Sequence, residues 1–395
     1  MIVQDQEIAR SVLLLARDSH EYIVKMRRDF HKYPELSFSE TRTAKVIAAE
    51  LEHMGFHVQT GIAKTGVIAS LPVANAARTV AFRADMDALP IEEENDVDYK
   101  SSYEGIFHAC GHDANMAMLL GAAKIIISLK DKLKRQVRFL FQPGEEQPPG
   151  GANYLIEQGA LHGVDEIYGL HIDPNLPSSV FGLRSGAAMA STDRIIITIR
   201  GKGGHSSTPH LCVDPIVIAA EIILAIQTIV SRKLNPLSPC AISLCQISGG
   251  TAFNVIPNRV KIHGTARALD DNLRNKLPLL LEDTVKGITS YNNASYEFEY
   301  LRGYPILYNH QEQIDFVRCG IIELFGNDAV QNMDPILGGE DFSYYLEKTK
   351  GAFIFLGSGN RKKGVCHPLH SPQFLIDEDI LCRGSALLAY IACCS

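Results

Sequence analysis

The sequence predicts an α/β fold: a mixed, largely parallel sheet flanked by helices, with a ferredoxin-like α+β domain inserted into it. Three observations carry this expectation. Up to about residue 185, and again beyond about residue 300, β-rich apolar runs alternate with helical segments, the texture of βαβ units. Between those points the order becomes β-α-β-β-α-β, that of a split βαβ unit. The 395 residues, 46% hydrophobic and 21% charged, are length and apolar material enough for two to three domains.

Taken in order, residues 7–31 read as one long amphipathic helix that must end before Pro34, because the residue preceding a proline avoids helical geometry. Residues 79–83 are β-rich and run into Asp85-Met86-Asp87. Residues 116–129 read as a helix capped by Asp113, and 137–142 as a strand stopped by Pro143-Gly144. A short helix over 152–158 and a strand over 166–172 complete the first half. In the insert, strands are expected over 194–200, 241–247, 259–267 and 296–300, and helices over 214–232 and 272–292. A helix over 311–325, a strand over 352–356 and a helix over 379–392 return the chain to its first domain. The expected boundaries are 1–184 with 301–395 for the catalytic domain and 185–300 for the insert.

Composition excludes several classes. A net charge of −7 and a pI near 6.1 argue against a nucleic-acid surface. Unbroken apolar runs such as 12–16 and 216–220 fall far short of the roughly 18 residues that span a bilayer, so no membrane partner is expected. Acidic residues precede the first run and no small-residue cleavage site follows it, which argues against a signal peptide. Nine cysteines, an odd number without a repeating framework, point to a reducing compartment, and the expectation is a cytoplasmic protein.

Four segments carry chemistry. In His108-Ala109-Cys110-Gly111-His112-Asp113, residues two apart in an extended chain face the same side, so Cys110 and His112 can share one metal. A buried cysteine beside a histidine at a helix start explains that segment equally well. Glu145-Glu146 follows a strand directly, where open α/β sheets gather their ligands, and adjacent carboxylates tolerate each other best around a cation. The alternative is a solvated acidic turn. His171 closes the next strand, and His370 lies in the Cys366-His367-Pro368-Leu369-His370-Ser371 segment before the last helix. Singly, each histidine fits a structural role. Together the four segments supply thiolate, imidazole and carboxylate at successive element ends, a donor set that suits zinc or a similar divalent ion.

Ordered motifs extend the pattern: Arg28-Asp29-Phe30-His31 with Pro34-Glu35-Leu36-Ser37-Phe38, Arg83-Ala84-Asp85-Met86-Asp87-Ala88-Leu89-Pro90, Ala109-Cys110-Gly111-His112-Asp113, Gln142-Pro143-Gly144-Glu145-Glu146, Gly203-Gly204-His205, Asn254-Val255-Ile256-Pro257 and Gly338-Gly339-Glu340-Asp341-Phe342. In these the chain closely resembles the amidohydrolase branch of the aminoacylase/carboxypeptidase metallohydrolase family. That branch includes hippurate hydrolases, indole-acetyl-amino-acid hydrolases and N-acetyldiaminopimelate deacetylases.

The resemblance implies two divalent metal ions per subunit, zinc, manganese, nickel or cobalt, held by Cys110, His112, Glu146, His171 and His370, with the Cys110 thiolate shared. It implies that Glu145 is the general base for a metal-activated water and that Asp87 orients the site. His205, Asn254 and Arg267, in the insert, match groups that meet the substrate carboxylate or reacting carbonyl, in some relatives across a subunit boundary. The implied reaction is hydrolysis of an N-acyl-amino acid to a carboxylate and a free amino acid. N-acetyldiaminopimelate deacetylation or small-peptide hydrolysis on the same scaffold is the alternative, and a non-catalytic relative would have lost Glu145 or a ligand. A homodimer paired through the insert is expected, with the isoleucine-rich strand at 194–200 as its exposed edge. Three departures from the family stand out: Asn115 where histidine is frequent, Gly144 where alanine is usual, which looks harmless, and bulky residues from Ser206 to His210.

Overall fold

The computed structural model describes residues 2–74 and 76–394, which form two compact units. The first comprises Met1–Gly186, Tyr308–Asp334 and Asp341–Ser395; the second comprises Ala187–Leu307 and Pro335–Glu340.

The first unit opens with α1 (Ile2–Asp18) and α2 (His20–Lys32). The single helix expected over 7–31 is therefore two. Asp18 and Ser19 are weak helix formers, and Ser19 drifts to φ −88°, ψ −4° although its peptide still bonds Leu15 and Ile23. Then follow α3 (Thr41–His53), β1 (His57–Ile62), β2 (Gly66–Leu71), β3 (Thr79–Asp85), α4 (His112–Ser128), β4 (Gln136–Gln142), α5 (Gly151–Glu157), β5 (Glu166–Pro177) and β6 (Phe181–Leu183). The chain passes through β7 (Gly186–Met189) into the second unit: β8 (Asp193–Arg200), β9 (Gly204–His205), α6 (Pro215–Thr228), β10 (Cys240–Gly249), β11 (Val255–Ile256), β12 (Arg259–Ala268), α7 (Asp271–Tyr291) and β13 (Ser295–Arg302). It returns by β14 (Leu307–Asn309) to α8 (Gln311–Phe325), β15 (Val330–Asn332), α9 (Ser343–Leu346), β16 (Lys350–Gly359) and α10 (Leu381–Cys393).

The eight-stranded sheet of the first unit has the order β1-β2-β4-β3-β5-β16-β6-β15. Its centre, β4-β3-β5-β16, is parallel, while β1, β2 and the β16–β6 pair are antiparallel. Every residue of β3 is buried, as expected for a parallel strand covered by helices on both faces. Helix α4 is buried continuously from His112 to Ala123. Gly121 permits its close packing, because a Cβ there would come within 2.7 Å of Ile23 and 2.4 Å of the Ser385 hydroxyl. The helix begins one residue before Asp113, and its N-cap is Gly111 at φ +88°, a left-handed geometry that glycine adopts freely. The expected Asp113 cap is corrected accordingly. That carboxylate instead holds Arg27 Nε at 2.8 Å and His31 Nδ1 at 2.7 Å, all three side chains fully buried.

The four strands of the second unit run antiparallel in the order β10-β12-β8-β13, the arrangement of a ferredoxin-like fold. Helices α6 and α7 cover one face, and Ile195, Ile197 and Ile199 lie in the core between. This overturns the expectation that 194–200 is an exposed edge. In a split βαβ unit the first strand is flanked by the third and fourth, so its isoleucines mark a central strand, and the edges are β10 and β13. Strand β13 also continues to Arg302, past the insert boundary expected at 300. Among the described residues one helical stretch, Pro215–Lys233, is long and apolar enough to cross a bilayer. Counting unbroken runs missed it because Glu221 and Gln227 interrupt the run; its Ile218, Ile222, Ile226 and Ile229 pack into this unit's core.

Candidate metal centre

The carboxyl ends of the central parallel strands converge on one place, as open α/β sheets require. Strand β3 ends in Asp85, β4 leads within four residues to Glu145 and Glu146, β5 carries His171, and α4 begins at His112. His370 comes from the loop after β16, with φ +64° and its amide bonded to the Ala109 carbonyl at 2.8 Å. A left-handed histidine is uncommon and persists where neighbours hold it.

Of the three-donor groups whose ligand atoms lie within 4.8 Å of one another, two share Cys110: Cys110, His112 and His171, and Cys110, Glu146 and His370; a third joins His112 to Glu145 and Glu146. The Cys110 sulfur lies 3.7 Å from His171 Nε2, while His370 Nε2 lies 3.4 Å and His112 Nε2 4.0 Å from Glu146 Oε1. Backbone carbonyls settle the tautomers, because a carbonyl can only accept. His112 Nδ1–H donates to Asp87 O at 2.8 Å and His171 Nδ1–H to Ile172 O at 2.7 Å, which leaves both Nε2 atoms to serve the cluster.

A metal pair fits these residues. His112 Nε2 and Glu146 Oε1 are buried without a hydrogen-bond partner, a costly state that a cation between them would relieve. The electrostatics agree. Burial, and then the charges of Glu146, Glu145 and Asp85, push the Cys110 thiol well above its ordinary range. Against the cost of burial, Asp85 and Asp87 raise the His112 imidazole to about 10. The field at this place asks for positive charge.

Asp87 is fully buried and holds the acidic pair by its backbone: Oδ1 accepts from Glu145 N–H at 3.1 Å and Oδ2 from Glu146 N–H at 2.9 Å. Although burial opposes it, the hydrogen bond and charge of His112, with Ser37 and the Glu146 amide, keep its carboxyl below the ordinary range. Gly144 is not harmless. It has φ +66°, and a Cβ on it would fall 2.5 Å from the Phe38 ring, so alanine would be strained twice over. Asp85 had no role in the sequence reading, yet its Oδ2 lies 3.7 Å from His112 Nε2. Asn115 Nδ2 donates to Asp85 Oδ1 at 2.9 Å and Arg83 Nη1 to Oδ2 at 2.6 Å. Two aspartates one residue apart at a strand end were the available signal.

In the second unit, β9 pairs with β11 in antiparallel register, and this brings exposed His205 and Asn254 onto one small ribbon. Ser207 N–H donates to His205 Nδ1 at 3.1 Å, which leaves the proton on Nε2. Arg267, on β12, is half-buried; no hydrogen bond or ion pair holds its guanidinium among the described residues, since Arg274 takes Asp193. Burial lowers its pKa.

A thiolate-centred double donor cluster with a buried acid beside it, at the carboxyl ends of a mixed sheet, defines a metal-dependent hydrolase. Residues 81–393 match the model of Peptidase family M20/M25/M40, and the chain belongs to that family. It is 40% identical over 379 residues to thermostable carboxypeptidase 1 of Saccharolobus solfataricus, covering 95% of this chain and 96% of the relative. It is 44% identical over 290 residues to the N-acyl-L-amino acid amidohydrolase of Geobacillus stearothermophilus, covering 73% and 78%. Its fold matches that of the Bacillus subtilis YXEP protein, described as a dinuclear metal-binding peptidase of the M20 family. The TM-score is 0.84 at 33% identity, over 95% of this chain and 98% of the other.

Proposed function

We propose that the protein hydrolyses N-acyl amino acids, releasing a carboxylate and a free amino acid. The observation that carries this reading is the pair of donor clusters hinged on Cys110, with Glu145 beside them. Cys110, His112 and His171 would hold one divalent ion, and Cys110, Glu146 and His370 the other. Zinc, manganese, nickel or cobalt bound there would supply Lewis acidity and bring the pKa of a water from about 15.7 towards roughly 7.

The chain's own residues do the rest. Glu145 takes the proton of the attacking water and passes it to the leaving amine. Asp87 fixes the backbone that presents both glutamates and the tautomer of His112. His205, with its proton on Nε2, is a donor for the developing oxyanion, a contribution of about 3 to 4 kcal/mol per donor. Arg267 offers an unpaired, half-desolvated fork for the α-carboxylate, and Asn254 a neutral amide beside His205. The second unit, Ala187–Leu307 with Pro335–Glu340, acts as lid and dimerisation domain. A second copy suits the outer face of α6, where Ile216, Val217 and Leu224 are exposed, together with the edge strand β10 and its exposed Ile247. The cysteine pattern supports a cytoplasmic setting.

The test is steady-state hydrolysis of N-acetyl, N-benzoyl and indole-acetyl amino acids alongside dipeptides, with metal-stripped and reconstituted protein. Metal-dependent release of amino acid from the acyl panel is expected. The name of the Saccharolobus relative favours a second reading, small-peptide hydrolysis, and faster cleavage of dipeptides would select it. No turnover in any arm would overturn both.

A further inference from the structure

Three consecutive backbone amides lead into the acidic pair, and each donates to a buried carboxylate. Glu145 and Glu146 use the two oxygens of Asp87; Gly144 N–H donates at 2.9 Å to Oε1 of Glu40. With Gly144 in the left-handed region, successive N–H groups of this kind form a concave anion-binding nest, and here the chain's own carboxylates fill it.

Glu40 is an unusual residue to find there. It is completely buried, and no cationic side chain pairs with it among the described residues. It precedes α3, yet its side chain does not cap that helix. Its other oxygen accepts from the Thr65 hydroxyl at 2.6 Å. Burial, with a smaller contribution from Asp87, lifts its carboxyl to about 7 despite the Thr65 bond. A buried acid kept at this cost is explained by what it bonds, and what it bonds is the turn before Glu145. The same segment braces that turn twice more. Phe38, itself at φ +60°, places its ring where a Gly144 side chain would be, and Ser37 Oγ donates to Asp87 Oδ2 at 2.7 Å.

We propose that Glu40 is a positioning residue for the reaction: by accepting the Gly144 N–H, and held in turn by Thr65, it fixes the turn that aims Glu145. The proposal rests on the reading of Glu145 as general base. Among the described residues, the hydrogen bond by which Glu40 reaches the site is the one from the Gly144 peptide, so its loss acts on kcat and leaves KM and metal retention nearly unchanged.

The experiment compares Glu40→Ala, Glu40→Gln and Thr65→Val as reconstituted holoenzymes, by kinetics, metal content and hydrogen exchange of the peptide spanning residues 143–147. Misplacing a catalytic group by about 1 Å costs on the order of a hundredfold, so Glu40→Ala is expected to lower kcat roughly 10- to 100-fold. KM should stay within about twofold, metal content should hold, and exchange at 143–147 should quicken. Glutamine keeps an acceptor oxygen at the same reach and should restore kcat to within about threefold of wild type, with normal exchange. Wild-type kcat in Glu40→Ala, equal damage by alanine and glutamine, or unchanged exchange would each overturn the proposal. Should the alanine variant not fold, Thr65→Val, which loses only the hydroxyl donor, must still lower kcat several-fold and quicken exchange; wild-type behaviour there overturns it too. Retained turnover in Glu145→Gln would instead overturn the reading of Glu145, and the exchange data would still judge the turn.

Discussion

Glu145 and Glu146 are neighbours assigned different work. Glu146 Oε1 faces His370 and His112 and joins a Cys110 cluster, whereas Glu145 lies within reach of His112 and Glu146 but joins no cluster with Cys110. Glu145→Gln is therefore expected to keep its metal while losing about a hundred- to ten-thousand-fold in turnover, since glutamine cannot take a proton. Parallel loss of metal and activity would make Glu145 a ligand instead. Gly144→Ala is expected to destabilise the fold by about 1–3 kcal/mol, from left-handed strain and the Phe38 contact, which thermal unfolding would read. Glu40 carries a pH dependence whose sign is definite. Its carboxyl rises from an ordinary 4.5 to about 7, so the folded chain binds the proton more tightly than the unfolded one. Its contribution to stability is full below about pH 4.5 and is lost as pH rises through about 7. Glu40→Gln, which has no charge to bury, should gain stability relative to wild type between pH 5 and 8; a constant difference would contradict this. Gly144 shows why residue-scale reading has limits: its φ and the ring above it are not visible in Pro-Gly-Glu-Glu.

At the scale of elements, helix α4 presents His112 because α2 anchors its first turn. Arg27, fully buried, meets Asp113 at 2.8 Å, and His31 joins Asp113 to Glu93. Removing one partner of a buried pair leaves its charge poorly compensated, here with Glu378 still 3.3 Å from Arg27, so Asp113→Ala is expected to cost about 3 kcal/mol by denaturant unfolding. Adding Arg27→Met should recover part of that loss. The Arg-Asp-Phe-His motif was legible as a motif; that Arg27 just before it and His31 within it serve the helix start was not, because 82 residues separate His31 from Asp113. Strand β8 teaches the converse. Its isoleucines were plain in the sequence, but whether an apolar strand is an edge or a centre depends on which strands pair with it, and β12 and β13 come 59 residues or more later along the chain.

For the whole molecule, the proposed homodimer is testable if His205 or Asn254 completes a partner's metal centre. Mixing inactive Glu145→Gln chains with inactive His205→Ala chains should then restore activity in heterodimers, up to about half of the sites carrying both groups. A fully active monomer in sedimentation at working concentration would rule out that arrangement. The alternation of strands and helices along the chain was by itself enough to read the α/β class with its inserted ferredoxin-like domain, and the ordered motifs carried the resemblance that implies the family and metal-dependent amide hydrolysis. Period and motif order are local properties of a sequence. Tertiary structure alone decided that carbonyls of Asp87 and Ile172 set the histidine tautomers, that Asp85 lies beside His112, and that Glu40, Phe38 and Gly144 form one brace. These depend on strand order and on side chains far apart in sequence meeting within a few ångströms, and no local pattern records such distances.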